Sequence, residues 1–330
     1  MKIIFFGTSG FAIPSLRMLA EHKHAPVAII TAPDKPKGRG KRLTFTPVKQ
    51  FVIEKIDKPG LSIWQLEKLD AVAIEHIVTL QPNLGIIAAY GKIIPKELID
   101  IFPHGLLNIH PSILPKYRGP SPIQTTIFNG DTETGVTIIQ IDEQLDHGPI
   151  VAQRGYVIPT DITYPALHNA LAELGAQLLI ETLPKWMVGE ITPTSQDDAK
   201  ATYTKLLKKE DGEIDWSKSA EEIERMVRAY NPWPGSYTEV ISEKLKVKSI
   251  LKIKKVDVLK LNPVRNAVSN GVNQEQAPFP SPRIPGTFFK TTDGFPAVIC
   301  GTDALKFLMV QPEGKKDMLG DAFAHGYMSL

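Results

Sequence analysis

The chain has 330 residues, 42% of them hydrophobic and 22% charged, with a formal net charge of +2. That length favours two domains over one. The near-neutral balance excludes a polycation, so any nucleic-acid contact must come from local clusters. Cys300 is the one cysteine, which excludes an intrachain disulfide framework and a multi-cysteine metal site. The start lacks a secretory pattern and no apolar run approaches the roughly 18 residues of a membrane span. The expected location is the cytoplasm, with no membrane partner.

"KIIFFG" reads as a buried strand, turned by "TSG" into a helix over "FAIPSLRMLAEHK" with Pro14 near its start. "GTSG" does not match G-x-G-x-x-G, which argues against a nicotinamide cofactor. "PVAIIT" is a second strand. Next comes "PDKPKGRGKR", with Lys35, Lys37, Arg39, Lys41 and Arg42 within ten residues. Its prolines and glycines predict a loop rather than the interior of a helix or strand. Such a loop is either plain solvated surface or a grip for phosphates. "LDAVAIEHIVTLQPN" predicts a helix, "LGIIAAY" a strand, "PKELIDI" another helix and "GLLNIH" a strand. Strands alternating with helices predict a mostly parallel sheet covered on both faces.

In such sheets function gathers beyond the carboxyl ends of the strands, which is where "NIHPSILPKYRG" lies. In an extended strand Asn108 and His110 share a face, and Pro111 biases His110 toward an extended backbone. A carboxylate near His110 would fix its tautomer and support proton transfer. Asp146, in the loop between "VTIIQI" and "PIVAQ", is one candidate, and Asp142 rivals it on spacing alone. On pattern alone His110 could equally be a structural histidine, Asn108 a turn cap and Asp146 a solvated loop residue. No G-x-S-x-G elbow occurs and Cys300 has no activating motif, so covalent catalysis is unsupported. His22 and His24 do not make a metal set.

"ALHNALAELGAQLLIETLPKWMVG" predicts the helix that ends the first domain, over residues 1–189, and a polar linker follows over 190–209. In the second domain, 210–330, Ser219-x-x-Glu222 is a capping box opening a helix that "NPWPG" ends. Trp233 reads as a buried aromatic of the domain junction rather than a substrate contact. "KLKVKSILKIKKVDVLK" partly alternates, with Lys246, Lys248, Lys252 and Lys254 pointing mainly outward. With the short strands after Gly286 it predicts a small, OB-like β-barrel. The polar stretch over 262–286 is expected to be a surface loop.

The segments "TAPDKPKGRGKRLTFTPVK", "AAYGKIIPKELI", "GLLNIHPSILPKYRGPSPIQ", "GDTETGVTIIQIDEQLDHGPI", "IDWSKSAEEIERMVRAYNPWPGSY" and "VQPEGKK" span nearly the whole chain. Together they resemble the 10-formyltetrahydrofolate-dependent formyltransferases, and the basic loop and "YNPWPG" resemble the branch acting on methionyl-tRNA. The resemblance implies an open, mostly parallel Rossmann-like sheet of the formyltransferase type and Asn108, His110 and Asp146 as the catalytic set. It implies 10-formyltetrahydrofolate as formyl donor, no metal, and a folate site drawn from Tyr90, Gly91, Ile94, Pro95, Ser112, Leu114, Pro115 and Asp142. The acceptor implied is the α-amine of methionyl initiator tRNA, gripped by Lys35, Lys37, Arg39, Lys41, Arg42, Lys246 and Lys248, with Arg39 foremost. A monomer is expected. Formylation of an amino sugar nucleotide on the same core is the alternative enzyme, and a catalytically silent RNA-binding protein the non-enzymatic one. "GTSGFA" and "SILP" depart from the family's usual turn and loop, and neither touches the trio.

Overall fold

The computed structural model describes residues 1–22, 24–37, 40, 42–56, 60–242, 247–261, 280 and 282–327. They fall into two compact units, one of Met1–Ile123, Thr132–Thr160 and Pro165–Leu206, the other of Gln124–Asp131, Asp161–Tyr164 and Leu207–Leu330. Much of the stretch expected as a linker, as far as Leu206, therefore lies in the first unit.

The first unit carries strands β1 (Ile3–Gly7), β2 (Ala28–Thr31), β3 (Lys35–Lys37), β4 (Arg42–Thr44), β5 (Ser62–Gln65), β6 (Leu84–Ala88), β7 (Leu106–His110), β8 (Glu133–Gln140) and β9 (Ile150–Val157). Its helices are α1 (Ile13–Glu21), α2 (Pro47–Lys55), α3 (Ala71–Thr79) and α4 (Lys96–Ile99); α5 (Pro122–Asn129) begins in it, and α6 (Tyr164–Met187) lies in it from Pro165. Seven strands form one sheet in the order β5-β2-β1-β6-β7-β8-β9. The pairs from β5 to β7 are parallel, and β8 and β9 add an antiparallel hairpin. Strands β1, β2 and β6 are buried along their whole length, as expected of apolar strands covered on both faces. Thr46 and Asp70 cap α2 and α3 through their side chains, satisfying amides that each helix start leaves open.

The order places the carboxyl ends of β1, β6 and β7 side by side, and Thr8 ties two of them. Its hydroxyl donates to the Tyr90 carbonyl at 3.2 Å, and its backbone N–H donates to Ala89. Ile4, Phe6, Ala28, Ile30, Ile87 and Leu106 form a core with Phe102 and Leu98. Elsewhere in the unit α6 comes very close to the sheet at Gly175, where an added Cβ would lie 2.7 Å from the Ile109 side chain and 3.3 Å from that of Val136. Only a residue without a side chain permits this approach, one position before His110.

In the second unit α7 (Ala220–Tyr230) opens with the expected reciprocal capping box between Ser219 and Glu222. The strands are β10 (Ser236–Ser242), β11 (Val247–Leu259), β12 (Phe288–Lys290), β13 (Pro296–Ile299), β14 (Ala304–Pro312) and β15 (Met318–Leu319), followed by α8 (Gly320–Tyr327). They form a curled antiparallel half-barrel in the order β10-β11-β14-β13-β12, with β15 on β14. Trp216 packs on Phe307 and Phe288 and donates its indole N–H to Thr238 at 3.1 Å.

Two expectations are corrected. Residues 35–37 and 42–44 pair as an antiparallel ribbon, with Lys35 opposite Thr44 and Lys37 opposite Arg42. Pro36 stands opposite Leu43 in the middle of β3, and in a two-stranded ribbon each strand has a free edge where a missing N–H does not interrupt pairing. Trp233 is 56% exposed rather than buried. The expected surface loop falls mostly outside the described residues.

Gly175→Leu should lower the denaturant midpoint by the equivalent of about 1–3 kcal/mol, through overpacking against Ile109. Gly155→Ala, where the nearest atom to an added Cβ is 3.9 Å away, should change it by less than about 0.5 kcal/mol. Equal midpoints for the two variants would contradict this packing.

Candidate active site

Strand β7 delivers Asn108 and His110 to the sheet's carboxyl edge, facing Ile139 and Thr137 of β8 across the antiparallel ladder. The His110 ring is 4% exposed, and its Nε2 lies 2.9 Å from the Tyr117 carbonyl oxygen. A carbonyl only accepts, so Nε2 carries a proton and donates it. The other nitrogen, Nδ1, faces Asp146 Oδ2 at 3.6 Å, longer than a direct hydrogen bond. Asp146 Oδ1 sits 3.4 Å from Asn108 Nδ2. Asp146 Oδ2 also accepts from the Gly119 N–H at 2.8 Å. One carboxylate thus meets the amide, the imidazole and a backbone N–H.

Asp142 is elsewhere engaged. Its Oδ2 lies 2.5 Å from His147 Nδ1, and its Oδ1 accepts from the Gln144 N–H at 2.9 Å. The carboxylate beside His147 raises that imidazole's pKa above its ordinary value. Of the two aspartates that spacing could not separate, the geometry brings Asp146 to His110.

The loop after His110 is held from below. The buried Thr137 hydroxyl donates to Ser112 O at 2.7 Å and accepts from the Leu114 N–H at 3.1 Å. Gln153 donates to Leu114 O at 2.8 Å and to Thr137 Oγ1 at 2.9 Å. From the other side a strap over residues 196–204 bonds along the loop. Thr202 N donates to Pro115 O, Arg118 N to Thr202 O and Thr204 N to Arg118 O. Gly119 sits at φ +111, and a Cβ there would lie 2.8 Å from the Thr204 carbonyl oxygen. Glycine alone allows the strap to press this close.

Sequence reasoning missed the strap and its buried partner. Arg118 is 2% exposed and reaches Gln196, Asp198 and the Tyr203 hydroxyl. Arg118, bonded to Asp198 at 2.7 Å, holds that carboxyl below its usual range. The one available signal was an arginine set between Tyr117 and Gly119 in a rigid segment, and nothing there announced burial.

Of the expected folate residues, Tyr90 is 3% exposed and packs edge-on against Phe6 in the core. Burial pushes its hydroxyl up to about 12. Ser112 and Leu114 are buried too, the Ser112 hydroxyl donating to Lys116 O at 2.6 Å. These three support the edge from within. Gly91 is exposed, and Ile94, Pro95, Pro115 and Asp142 are half-buried. Ile93, which the sequence reading did not single out, is 91% exposed beside them. Among the described residues no group of three or more His, Cys, Asp or Glu could hold a metal ion, and no helix is long and apolar enough to cross a membrane.

The basic ribbon exposes Lys35 and Arg42 beside Leu43 and Phe45. Its root is locked by Asp34, which meets Lys49 Nζ at 2.5 Å and Gln65 Nε2 at 2.7 Å. Arg39, Lys41 and Lys246 lie outside the described residues, as do the side chains of Lys37 and Lys248.

The comparisons agree with this architecture. Residues 1–183 match the family model "Formyl transferase", and residues 206–328 match "Formyl transferase, C-terminal domain". A methionyl-tRNA formyltransferase of Roseiflexus sp. (strain RS-1) is 41% identical over 320 residues, 96% of this chain and 90% of that protein. HypX from Aquifex aeolicus, solved with tetrahydrofolic acid, superposes with a TM-score of 0.61 at 17% identity over 99% of this chain, which spans 47% of HypX. An N-formyltransferase from Helicobacter canadensis, solved with folinic acid and dTDP-3-aminofucose, gives 0.61 at 19% identity over 93% of this chain and 99% of that one. These solved structures share the fold, and the family models and the near-full-length relative carry the assignment: the chain belongs to the formyl transferase family.

Proposed function

We propose that the chain transfers the formyl group of 10-formyltetrahydrofolate to the α-amine of methionyl initiator tRNA, acting as a cytoplasmic monomer. The observation that carries the chemistry is the convergence of Asn108 Nδ2 and His110 Nδ1 on Asp146. The donor set fits a formyl donor: a side-chain amide and an imidazole are both hydrogen-bond donors to a carbonyl oxygen. The 89–95 turn, with positive φ at Ala89 and at the exposed Gly91, offers backbone groups to the flat pterin ring. When bound, the folate supplies a formyl carbon on nitrogen as the electrophile.

This chain's residues then act as follows. Asn108 and protonated His110 donate to the formyl oxygen as it gains negative charge. Tyr117 O, accepting from Nε2, leaves Nδ1 as the working nitrogen of the ring. Asp146 orients the ring and accepts the proton that the attacking amine releases. A proton held at His110 Nδ1 is available to the nitrogen that leaves. Gly91, Ile94, Pro95, Pro115 and Asp142 form the folate wall, with Tyr90, Ser112 and Leu114 behind it.

The methionyl-tRNA acceptor is supported by the 41% identical, near-full-length relative that carries that name. The exposed ribbon gives it a physical basis. Lys35 and Arg42 stand with Lys37, Arg39 and Lys41 in a segment suited to phosphates, and Lys246 and Lys248 extend the set in the second unit.

A competition assay tests the acceptor directly. Given labelled 10-formyltetrahydrofolate, charged initiator tRNA and an amino sugar nucleotide, the label should appear on the tRNA. Label on the sugar would replace the acceptor, and no transfer at all by the folded protein would leave a binding role. Asn108→Ala should lower the single-turnover rate about a hundredfold or more, the usual cost of one oxyanion donor, while folate binding stays measurable. A near-normal rate would remove Asn108 from the proposed set. Arg42→Glu should raise the KM for tRNA and flatten its salt dependence, with folate binding unchanged; an unaltered salt slope would contradict the ribbon's role.

A further inference from the structure

We propose that Gln196 is a positioning residue of the formyl-transfer reaction, setting Asp146 against His110 through the backbone that carries it. The inference rests on the reaction proposed above. Its basis is one amide used at both ends. Gln196 Nε2 donates to the Asp146 carbonyl at 2.9 Å and to the Gly148 carbonyl at 2.8 Å. It thereby clamps both ends of the Asp146-His147-Gly148 turn. Gln196 Oε1 accepts from Arg118 Nε at 3.1 Å and from its terminal nitrogen at 2.9 Å.

The clamp has something to hold. Asp146 has φ +48, in the left-handed region that costs a residue with a Cβ free energy unless its surroundings impose it. No glycine relieves that position, so the imposed contacts must. Gly148 packs directly on the neighbouring backbone: a Cβ there would lie 1.8 Å from the Gln140 carbonyl oxygen.

Arg118 closes the circuit. The residue before it offers the carbonyl that accepts from His110, and the residue after it offers the N–H that donates to Asp146 Oδ2. Its own side chain orients Gln196. His110 and Asp146 are therefore referenced to one three-residue segment, Asp146 by its carboxylate directly and by its backbone through Gln196. Asp198, 64% exposed, pairs with Arg118 and also lies 3.4 Å from His147 Nε2 in the clamped turn.

The test separates the two ends of the amide. Gln196→Glu keeps an acceptor for Arg118 and removes the donor to the turn, and Gln196→Met removes both at similar size. Both should lower kcat about tenfold to a hundredfold, the scale of a small misplacement of a catalytic group. The KM for tRNA and the folate Kd should stay within about twofold, because the losses act on the transition state, with kcat referred to the folded fraction because unpaired polar atoms also lower stability. The Gly119 amide, whose partner is Asp146 Oδ2, should exchange with deuterium faster in both Gln196 variants.

Wild-type kcat in Gln196→Glu with an unchanged Gly119 exchange rate would overturn the inference. So would losses that follow KM or the folded fraction instead of kcat. If the wild-type protein transfers no formyl group, the reaction assignment fails on its own, and the Gly119 exchange rates still decide whether Gln196 holds Asp146.

Discussion

The site depends on a short piece of backbone presenting opposite polarities to two side chains. The Tyr117 carbonyl accepts from His110 Nε2, and the Gly119 N–H donates to Asp146 Oδ2. A carbonyl fixes which ring nitrogen carries the proton, and an amide fixes which carboxylate oxygen is occupied. The other carboxylate oxygen, Oδ1, meets Asn108 Nδ2 at the end of β7, and His110 Nδ1 faces the Oδ2 that the Gly119 amide holds. Everything around the 117–119 segment serves to keep it there. Thr137 and Gln153 hold the loop that leads to it, and the 196–204 strap bonds along it. Glycine at 119 lets that strap approach.

This arrangement explains why so many polar groups are buried beside the proposed reacting centre. Buried polar atoms are costly unless paired, and here the pairs are mutual. Arg118 lies almost wholly inside, with its guanidinium shared among Gln196, Asp198 and Tyr203. A network satisfied on every side is rigid, which is what the proposed placing of Asn108 and His110 on one developing charge requires. The sheet provides the base: parallel strands end together at one edge, and α6 lies against β7 beside Ile109 because Gly175 leaves no side chain between them.

The sequence showed much of this and hid a definite part. The alternation in "GLLNIH" put Asn108 and His110 on one face because strand periodicity is local. The capping box at Ser219 was legible for the same reason. The choice between Asp142 and Asp146 was not, since both sit in one loop and its path depends on the clamp at Gln196. Residues 190–209 looked like a linker because their composition is polar. They are structural as far as Leu206 because the polar atoms find partners in a loop about 80 residues earlier, a separation no local pattern encodes (Arg118 to Gln196 is 78 residues). The basic segment read as a loop from its prolines and glycines, whereas β3 pairs with β4 across Pro36. Trp233 read as buried because aromatics usually are, and it stands 56% exposed instead.

The claim at the centre is that Tyr117 holds the Nε2 proton and leaves Nδ1 toward Asp146. Nitrogen-15 NMR of protein labelled in its histidine rings measures this directly, with His110→Gln identifying the signal. The account predicts a His110 ring whose Nε2 stays protonated and hydrogen-bonded across the working pH range, with any proton gained or lost appearing at Nδ1. A ring protonated at Nδ1 alone, with Nε2 bare, would contradict it.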